Sequence, residues 1–586
     1  MNTNLILIIV PFLIMKIQFG VAQETQRPNV ILIMTDDQGY GDLGITGNPH
    51  VQTPIIDKLA KESIRFNNFY VSPVCAPTRS SLLTGRYSLR TGIRDTYNGG
   101  ATMASNEVTI AEMLKKVEYK TGIFGKWHLG DNYPSRPSDQ GFDESVIHLS
   151  GGMGQVGDVT TYFNGETSYF DPTLWHNNQQ EAYKGYCSDI FTEQAIKFIE
   201  ANKESPFFCY LAFNAPHTPL QVPEKYYQQY KNIDPSSGFE NDSRPFSKMT
   251  EKDKEDARKV YAMVTNIDDN LGKLFKKLDE LNIDDHTLVI FMTDNGPQQV
   301  RYVSGMKGRK GDVYQGGVRV PFYLKYPSAF KKDKDIETVA AHIDILPTLA
   351  ELCDTELPQG RIIDGINLLP LIKGNGLKWD ERPLFFYWTR KYPELYYNMA
   401  LRKGKYKLVG KTNYNAPITD FELFDLEKDP YEQKNIVITN ERIAKGLKEE
   451  LETTYHELIH SENLIDQPRV IIGSGHENPV LLNRNDAAGE RGIWAQEEIY
   501  GKWKVGIKKG RYDINFKFVK PVKGEGVMNL EVGPYVKRMT NEQESTDIIE
   551  MKNVYLPDID SDLIPFYVID DRRIFPFWVE LKKLDG

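Results

Sequence analysis

Four short apolar runs punctuate the first two-thirds of the chain: Asn29–Met34 (NVILIM), Lys120–Phe124 (KTGIF), Phe207–Phe213 (FFCYLAF) and Thr287–Met292 (TLVIFM). Three are nearly continuous rather than alternating, the pattern of strands covered on both faces. Between them, apolar residues recur at helical intervals over Ile55–Ser63, Thr109–Lys116, Ile190–Ala201 and Lys259–Leu281. Strand and helix in alternation predict an α/β domain built on a mostly parallel sheet flanked by helices.

The pattern then changes twice. From about Arg382 to His460 a few strands precede one helix around Glu441–Ile459, which predicts a smaller α+β subdomain packed on the first. Beyond about Ser461, Trp503, Val505 and Ile507 alternate with polar residues; KKGR turns the chain, and Tyr512, Ile514, Phe516 and Phe518 alternate again. Period and turn chemistry predict a β-hairpin there. Further alternation at Phe577, Val579 and Leu581 extends the expectation to a β-sandwich-like module. Trp503 and Trp578 are expected in its core rather than stacked on a sugar. The expected organisation is the α/β domain over residues 23–380, the α+β subdomain over 381–462 and the β-rich module over 463–586.

A length of 586 residues suits two or three such units, and 40% hydrophobic with 26% charged residues suits a globular protein with a large core. The net charge of -10 argues against wrapping a polyanion, so nucleic acid is not an expected partner. A local basic pocket for one anionic group is compatible with that total. At the N-terminus, the apolar run Leu5–Met15 is too short to span a bilayer but suits a signal peptide. Gly20 and Ala22 supply small residues for cleavage near Gln23, although the only early basic side chain is Lys16. A signal peptide over residues 1–22 and export to the periplasm or beyond are expected. No cysteine follows the run to take a lipid, and no other segment suits a membrane span, so the mature chain is expected without a transmembrane segment. Four cysteines, Cys75, Cys187, Cys209 and Cys353, are no disulfide framework. If one is catalytic, at most one bridge forms.

Open α/β sheets bind ligands beyond the carboxyl ends of their strands. After the first predicted strand comes Thr35-Asp36-Asp37; after the second, Lys126 and His128 in GKWHLG; after the third, His217 in APHTP; after the fourth, Thr293-Asp294-Asn295-Gly296. Each strand end thus carries reactive polar groups that should face one cleft. Asp36, Asp37, Asp294 and Asn295 offer only oxygen ligands, which favours Ca²⁺ or Mg²⁺ over zinc. Any one aspartate there is more simply a turn or helix cap, but two such pairs on matching strands weigh against that reading. In Cys75-Ala76-Pro77-Thr78-Arg79, Pro77 suits the first turn of a helix. Cys75 then sits at the helix N-terminus, where the dipole and free N–H groups favour an anion, with Arg79 on the same turn. A lone cysteine is usually a small buried hydrophobe, but the polar, turn-forming neighbours weigh against burial.

These blocks resemble the type I, formylglycine-dependent sulfatases of the alkaline phosphatase superfamily. CAPTRSSLLTGR resembles that family's C-x-P-x-R element, in which the cysteine is oxidised to formylglycine. PNVILIMTDDQGYGDLG, GKWHLG, APHTPLQVPEKY, TDNG and GRKGDVYQGGVRVP match its other blocks in order, over about residues 27–460. The APHTPLQVP and GRKG segments resemble the branch acting on sulfated hexosamines.

The resemblance implies an alkaline-phosphatase-like fold and a sulfatase acting on a sulfated glycan, matured by a formylglycine-generating enzyme. Cys75 would become an aldehyde, hydrate to a gem-diol and attack sulfur through one hydroxyl. One cation per chain, Ca²⁺ before Mg²⁺, would be held by Asp36, Asp37, Asp294, Asn295 and the modified Cys75. Arg79, Lys126 and Lys310 would offset charge on the sulfuryl oxygens. His217 would protonate the leaving alcohol with help from Lys310, and His128 would take a proton from the second hydroxyl so that sulfate is expelled. Substrate contacts would come from Arg79, Lys126, His217 and Lys310. Lys310 is preferred to Lys307 because it lies five residues before Gln315. The sequence departs from the family at Ile55, where Asn is usual in TPNxDxLA, and at Gln315, where Glu usually precedes GG. Neither position carries the chemistry, so local packing or substrate preference is affected.

Other readings are weaker. His456-Glu457-Leu458-Ile459-His460 fits the zinc-protease pattern H-E-x-x-H, but no third ligand motif follows, and two histidines on a surface helix is the expected outcome. Phosphonate and phosphodiester hydrolases of the same superfamily can share the aldehyde, and without aldehyde formation the protein would be a sugar-binding or an inactive relative. A sulfated polysaccharide or its oligosaccharides is the expected substrate, since an exported enzyme of this kind meets sulfated glycans outside the cell. Candidate contacts to it are His148, Trp175 and His176, and the loop bearing Arg301 and Tyr302.

Overall fold

The four apolar runs become adjacent strands at the centre of a ten-stranded sheet in the computed structural model, which describes residues 27–239, 242–374 and 381–584. Thr287–Thr293, Asn29–Thr35, Phe207–Ala212 and Lys120–Lys126 lie side by side and parallel, followed by a fifth parallel strand, Glu144–His148, that apolar content alone did not mark. Beyond them, Phe322–Lys325 is antiparallel on one side and is followed by Ile64–Phe66 and the edge strand Lys334–Ile336, and the antiparallel pair Thr173–His176 and Gln179–Ala182 forms the other edge. The expected, mostly parallel sheet flanked by helices is therefore present.

The continuity of the runs has a direct cause. Along Asn29–Thr35, Val30, Leu32 and Met34 enter one hydrophobic cluster, with Leu82, Leu83 and Met113 from helices on that face. Ile31 and Ile33 enter another, with Phe191, Met263, Ile267 and Leu271 from helices on the opposite face. Both faces are buried, so no position of the strand calls for a polar residue. Each buried aliphatic side chain contributes about 1.5–3 kcal/mol. Strand spacing constrains one glycine absolutely: Gly125 has φ +122°, and a Cβ there would lie 1.8 Å from the Ala212 carbonyl oxygen of the next strand.

Two helices begin earlier than their apolar periodicity suggested. Glu251–Glu280 starts at a Thr250–Asp253 capping box, and its first two turns are charged, so the apolar pattern appears only later. Cys187–Asn202 likewise begins before Ile190. Ile55 packs beside Gly272 on the Glu251–Glu280 helix, and its backbone N–H donates to Asp268 at 3.1 Å, so this departure from the family pattern concerns packing.

Strands Leu384–Tyr387, Met399–Lys403, Tyr406–Gly410 and Glu422–Asp425 form an antiparallel sheet covered by the helix Glu441–Ile459. That helix buries Ala444, Leu447, Leu451, Tyr455 and Leu458 and leaves His456, Glu457 and His460 exposed. Glu457 pairs with Arg90, and the His460 ring meets the His456 carbonyl at 2.5 Å, so the H-E-x-x-H stretch is a surface turn of helix.

The last part of the chain is a sandwich of two antiparallel-rich sheets around Trp503, Val505, Tyr512, Phe516, Leu563 and Val579. Gly501–Ile507 and Gly510–Lys523 are both strands, as their alternation predicted, but they do not form a hairpin. The first pairs with Ile559–Ile569 in one sheet; the second pairs with Ser545–Leu556 and Trp578–Lys583 in the other. KKGR turns a corner between sheets whose inner faces share a core, and alternation is identical for a hairpin and for such a corner. Trp503 is buried and stacked on Phe575 at 4.9 Å, whereas Trp578 is half-buried.

All four cysteines are buried free thiols. Among the described residues no helix is long and apolar enough to cross a membrane. The expected signal peptide, with Leu5–Met15, Gly20, Ala22 and Gln23, lies outside the described residues.

Candidate active site

The parallel strands end in register. Thr35 faces Thr293, Met34 faces Ala212, and Lys126 faces His148, so the segments that follow leave the sheet at one edge. Asp36, Asp37, Asp294, Asn295, Lys126, His128 and His217 are thereby gathered, all of them buried. Arg79 and Cys75 arrive on the helix Cys75–Thr84, whose ten residues are all buried. Cys75 is 1% exposed, against the expectation drawn from its polar neighbours. Of those neighbours Arg79 enters a buried ionic cluster, and Thr78 and Ser80 donate to the backbone carbonyls of Ser72 and Pro77; polarity in sequence does not separate such a setting from solvent.

Charges in the cluster are closely interlocked. Lys126 Nζ lies 2.5 Å from Asp36 Oδ2, Arg79 donates to Asp294 at 2.9 Å and to the Lys126 carbonyl at 3.1 Å, and Lys310 Nζ is 2.7 Å from Asp37 Oδ1. Asn295 Nδ2 donates to Asp37 Oδ1 at 2.8 Å, and the Asp37 N–H donates to Asp294 Oδ1 at 3.1 Å. His217 Nε2 stands 3.6 Å from Asp37 Oδ2. Three carboxylates balance three cations, which leaves no surplus positive charge for an anionic ester.

Two acceptors are unsatisfied: Asp36 Oδ1 and Asn295 Oδ1 are buried with no hydrogen-bond partner among the described residues. Such an atom costs about 1–3 kcal/mol unless something binds it. Ligand atoms of Asp36, Cys75 and Asp294 lie within 4.8 Å of one another, as do those of Asp36, Asp37 and His217. Orphaned oxygens among convergent carboxylates fit a hard divalent cation, which also supplies the missing positive charge.

The same surroundings set the protonation states. Burial would raise Asp36, but Lys126, His217, Arg79 and Lys310 outweigh it and hold its carboxyl well below the usual range. Burial and the Asp36 charge push Asp294 upward. Burial pushes the Cys75 thiol up, opposed by Lys126 and Lys310, so the unmodified cysteine stays a thiol and a poor nucleophile. Burial, then Lys310, holds His217 down to about 4. Burial works to deprotonate Lys310, but the charges of Asp37 and Asp36 outweigh it, and its proton is held firmly.

Hydrogen bonds fix both imidazoles. A carbonyl only accepts, so His128 Nε2, 2.7 Å from the Thr96 oxygen, carries the proton, and the buried Nδ1 is the free acceptor. Burial followed by Lys126 keeps this ring neutral, well below the ordinary histidine value. His217 Nδ1 donates to the Thr218 carbonyl at 2.7 Å, which leaves Nε2 toward Asp37. Asp37 and His128 both have φ +62°, a left-handed backbone that costs non-glycine residues about 1 kcal/mol. The His128 N–H bond to the Leu149 carbonyl, at 2.8 Å, helps to hold this conformation.

A cavity of roughly 350 Å³ opens onto this cluster, lined by Cys75, His128, His217 and Lys310. Thr96, Tyr97, Gln155, Gln298, Trp388, Arg390 and Trp494 complete it. Reading past strand ends missed these, because they come from loops, from the smaller subdomain and, for Trp494, from the C-terminal sandwich. Only the aromatic and basic text YWTRKY around Trp388 and Arg390 offered a signal.

The substrate contacts expected elsewhere do not reach the cavity. Arg301 is buried in an ion pair with Asp42 at 2.7 Å, and Tyr302 is buried and stacked on Phe239. His148 is fully buried, His176 pairs with Glu181 at 2.7 Å, and Trp175 lines a separate cavity beside the sandwich. Lys307, the alternative to Lys310, pairs with Glu422 at 2.9 Å. Gln315 is buried, and its backbone N–H donates to Glu432 at 2.6 Å.

Residues 28–355 match the family model described as Sulfatase, and residues 309–457 match that described as N-sulphoglucosamine sulphohydrolase, C-terminal. The chain is 32% identical over 432 residues to the ulvan-active sulfatase of Formosa agariphila, covering 71% of this chain and 78% of that protein. It is 30% identical over 395 residues to the N-acetylgalactosamine-6-sulfatase of Homo sapiens, covering 63% of this chain and 70% of that protein. Among solved structures it is similar to Ps i-CgsB, with 30% identity and a TM-score of 0.63, over 75% of this chain and 94% of that one. Ps i-CgsB has also been solved in complex with k-i-k-neocarrahexaose.

Proposed function

Because the chain belongs to the sulfatase family and is a sulfuric ester hydrolase, we propose that it cleaves sulfate esters of a sulfated carbohydrate, using a formylglycine made from Cys75 and one bound Ca²⁺. The observation that carries this reading is the setting of Cys75, a buried helix-N-terminal thiol beside carboxylates, orphaned oxygens and three cations. As a thiol it is held protonated by burial, which favours conversion by a formylglycine-generating enzyme over direct use. The named relatives act on or bind sulfated saccharides, which supports a polysaccharide or its oligosaccharides as the substrate class. The apolar Leu5–Met15 segment supports export, to where such glycans are met.

Asp36, Asp37, Asp294 and Asn295, with the modified Cys75, would hold the cation, which supplies positive charge at the sulfuryl oxygens and acidifies the attacking hydroxyl. A hydrated aldehyde at position 75 would supply that hydroxyl and a second one; loss of the second hydroxyl's proton would re-form the aldehyde C=O as the bond to the sulfate oxygen breaks. Arg79 and Lys126, locked by Asp294 and Asp36, present fixed charge to the sulfuryl group without reorganising. Lys310 and His217 share the Asp37 carboxylate. Lys310 keeps its proton while the free-enzyme His217 ring is neutral, so the pair, rather than His217 alone, delivers the proton to the leaving alcohol. His128 accepts the proton of the second hydroxyl through Nδ1, the nitrogen left free by its bond to Thr96.

A sugar alkoxide needs that proton, whereas 4-nitrophenolate leaves without it. His217→Asn should therefore lower kcat/KM on a sugar sulfate by about 10²- to 10³-fold, and on 4-nitrophenyl sulfate by about tenfold or less. Equal losses on both substrates would instead assign His217 to cation or sulfate binding.

The function is tested by inorganic sulfate release from 4-nitrophenyl sulfate and from ulvan and ι-carrageenan oligosaccharides, with protein matured alongside a formylglycine-generating enzyme. Release is expected from the aryl ester and from at least one glycan. Protein carrying the aldehyde that spares all of these and hydrolyses 4-nitrophenyl phosphate would overturn the reading.

A further inference from the structure

A second, larger cavity of roughly 1030 Å³ adjoins the catalytic one and shares Tyr97, Gly311, Trp388 and Arg390 with it. Its walls come from all three parts of the chain, including Gly489, Arg491, Tyr500 and Lys502 of the C-terminal sandwich, which lies beyond the regions matched by either family model. Its volume is at the upper limit for a single small-molecule site.

Two properties define what it takes. The lining holds six cations, Arg94, Arg390, Lys391, Lys411, Arg491 and Lys502, in a chain whose total charge is -10. Arg390, Lys391, Lys411 and Lys502 pair with Asp95, Glu394, Asp312 and Asp562, while Arg94 and Arg491 form no ion pair among the described residues and face one further lining acid, Glu490. Guanidinium and ammonium groups gathered on a concave wall draw in anions, and the two arginines without a carboxylate partner supply the excess charge. It also exposes aromatic faces: Tyr392, Tyr397 and Tyr500 are 48%, 51% and 43% exposed. At the junction with the catalytic cavity the Arg390 guanidinium lies over Tyr97 and Trp388, 4.6 and 4.9 Å from the ring centres. Flat apolar rings beside cations suit pyranose rings that carry anionic groups, since ring faces stack while charges pair.

The walls are fixed relative to the catalytic cavity. Trp494 of the sandwich packs on Tyr97 at 5.4 Å, Gly489 N–H donates to Asn98 at 2.8 Å, and Asn483 donates to Asp131 at 2.6 Å. Binding there requires no docking of a loose module.

We propose that this groove binds the anionic sugar residues that flank the one being desulfated, so that the C-terminal sandwich is part of the substrate-binding surface. The inference rests on the carbohydrate-sulfatase reading above, and sulfate and carboxylate groups on those sugars share the chemistry it recognises.

The test uses the whole chain and the double substitution Arg491→Ser and Tyr500→Ser, two exposed positions outside the catalytic cavity. Binding is measured by calorimetry with an ι-carrageenan hexasaccharide for the sulfate arm and a galacturonate hexasaccharide for the carboxylate arm. Turnover of 4-nitrophenyl sulfate, which has no sugar chain, is followed in parallel. At least one anionic hexasaccharide should bind, and the double variant should weaken it by about five- to tenfold, with aryl sulfate turnover unchanged. In the unmutated protein, hexasaccharide binding should also weaken with added salt more steeply than KM for the aryl sulfate rises. Binding of neither hexasaccharide, equal affinity in the variant, or parallel salt dependence overturns the groove. If the unmutated, matured protein releases sulfate neither from 4-nitrophenyl sulfate nor from the ulvan and ι-carrageenan oligosaccharides while still binding a hexasaccharide in the groove, the sulfatase chemistry fails and the groove stands as an anionic-sugar site.

Discussion

Replacing Cys75 with alanine abolishes sulfate release from every substrate, a fall of at least about 10⁴-fold, and leaves the protein folded. In the proposed chemistry no other side chain supplies the attacking oxygen, and fixed charge from Arg79, Lys126 and Lys310 polarises sulfur without providing a nucleophile. The helix Cys75–Thr84 loses one buried sulfur atom, which costs no more than about 1–2 kcal/mol, as small buried truncations do. Circular dichroism and the thermal midpoint should change little beside the activity. Protein made without a formylglycine-generating enzyme should behave like the alanine variant, because burial holds the Cys75 thiol protonated. Mass spectrometry of the peptide bearing residue 75 gives the converted fraction, and sulfate release should scale with it. Unconverted protein as active as converted protein would exclude the aldehyde.

The second large effect comes from Asp36→Ala. Asp36 is fully buried and neutralises Lys126 at 2.5 Å, with Arg79 at 3.9 Å. Removing it leaves buried cations short of a partner, a change that destabilises by about 3–5 kcal/mol. It also removes the unsatisfied Asp36 Oδ1 and a member of both clusters of convergent ligand atoms at the proposed cation site. Unfolding of the wild type after chelation should shift to higher temperature on adding Ca²⁺, because a ligand bound only by the folded state stabilises it. The variant should unfold at lower temperature and lose that shift, and its sulfate release should fall by about 10²- to 10³-fold. An undiminished Ca²⁺ shift would remove Asp36 from the ligand set. A larger shift with Mg²⁺ than with Ca²⁺ would change the metal and keep the site.

Much of this was legible in the linear text because it is local. A strand buried on both faces must be apolar throughout, so NVILIM and TLVIFM announced themselves; a parallel sheet presents its strand ends along one edge, so the polar residues after those runs had to meet. Asp36, Asp37, Lys126, His128, His217, Asp294 and Asn295 followed from that geometry together with the family blocks, and Cys75 and Arg79 from a helix start. Lys310 came from the GRKG block of the family resemblance, with its distance from Gln315 separating it from Lys307, and it stands 2.7 Å from Asp37.

Other features are set by contacts between residues distant in sequence. Arg301 and Tyr302 are candidate substrate contacts by sequence, but Arg301 is buried in an ion pair with Asp42 and Tyr302 is buried and stacked on Phe239. Cys75 looked exposed because its neighbours are polar, but those neighbours are buried, Arg79 in an ionic cluster and Thr78 and Ser80 against backbone carbonyls. The alternation of Trp503–Ile507 and Tyr512–Phe518 showed which face of each strand is inward and left the partner open; the structure gives each strand to a different sheet. Trp388, Arg390 and Trp494 reach the catalytic cavity only because the smaller subdomain and the sandwich pack against its mouth. Sequence periodicity records whether a position is buried, since burial depends on residue type; what it is buried against depends on the path of the whole chain, and only the tertiary structure decides that.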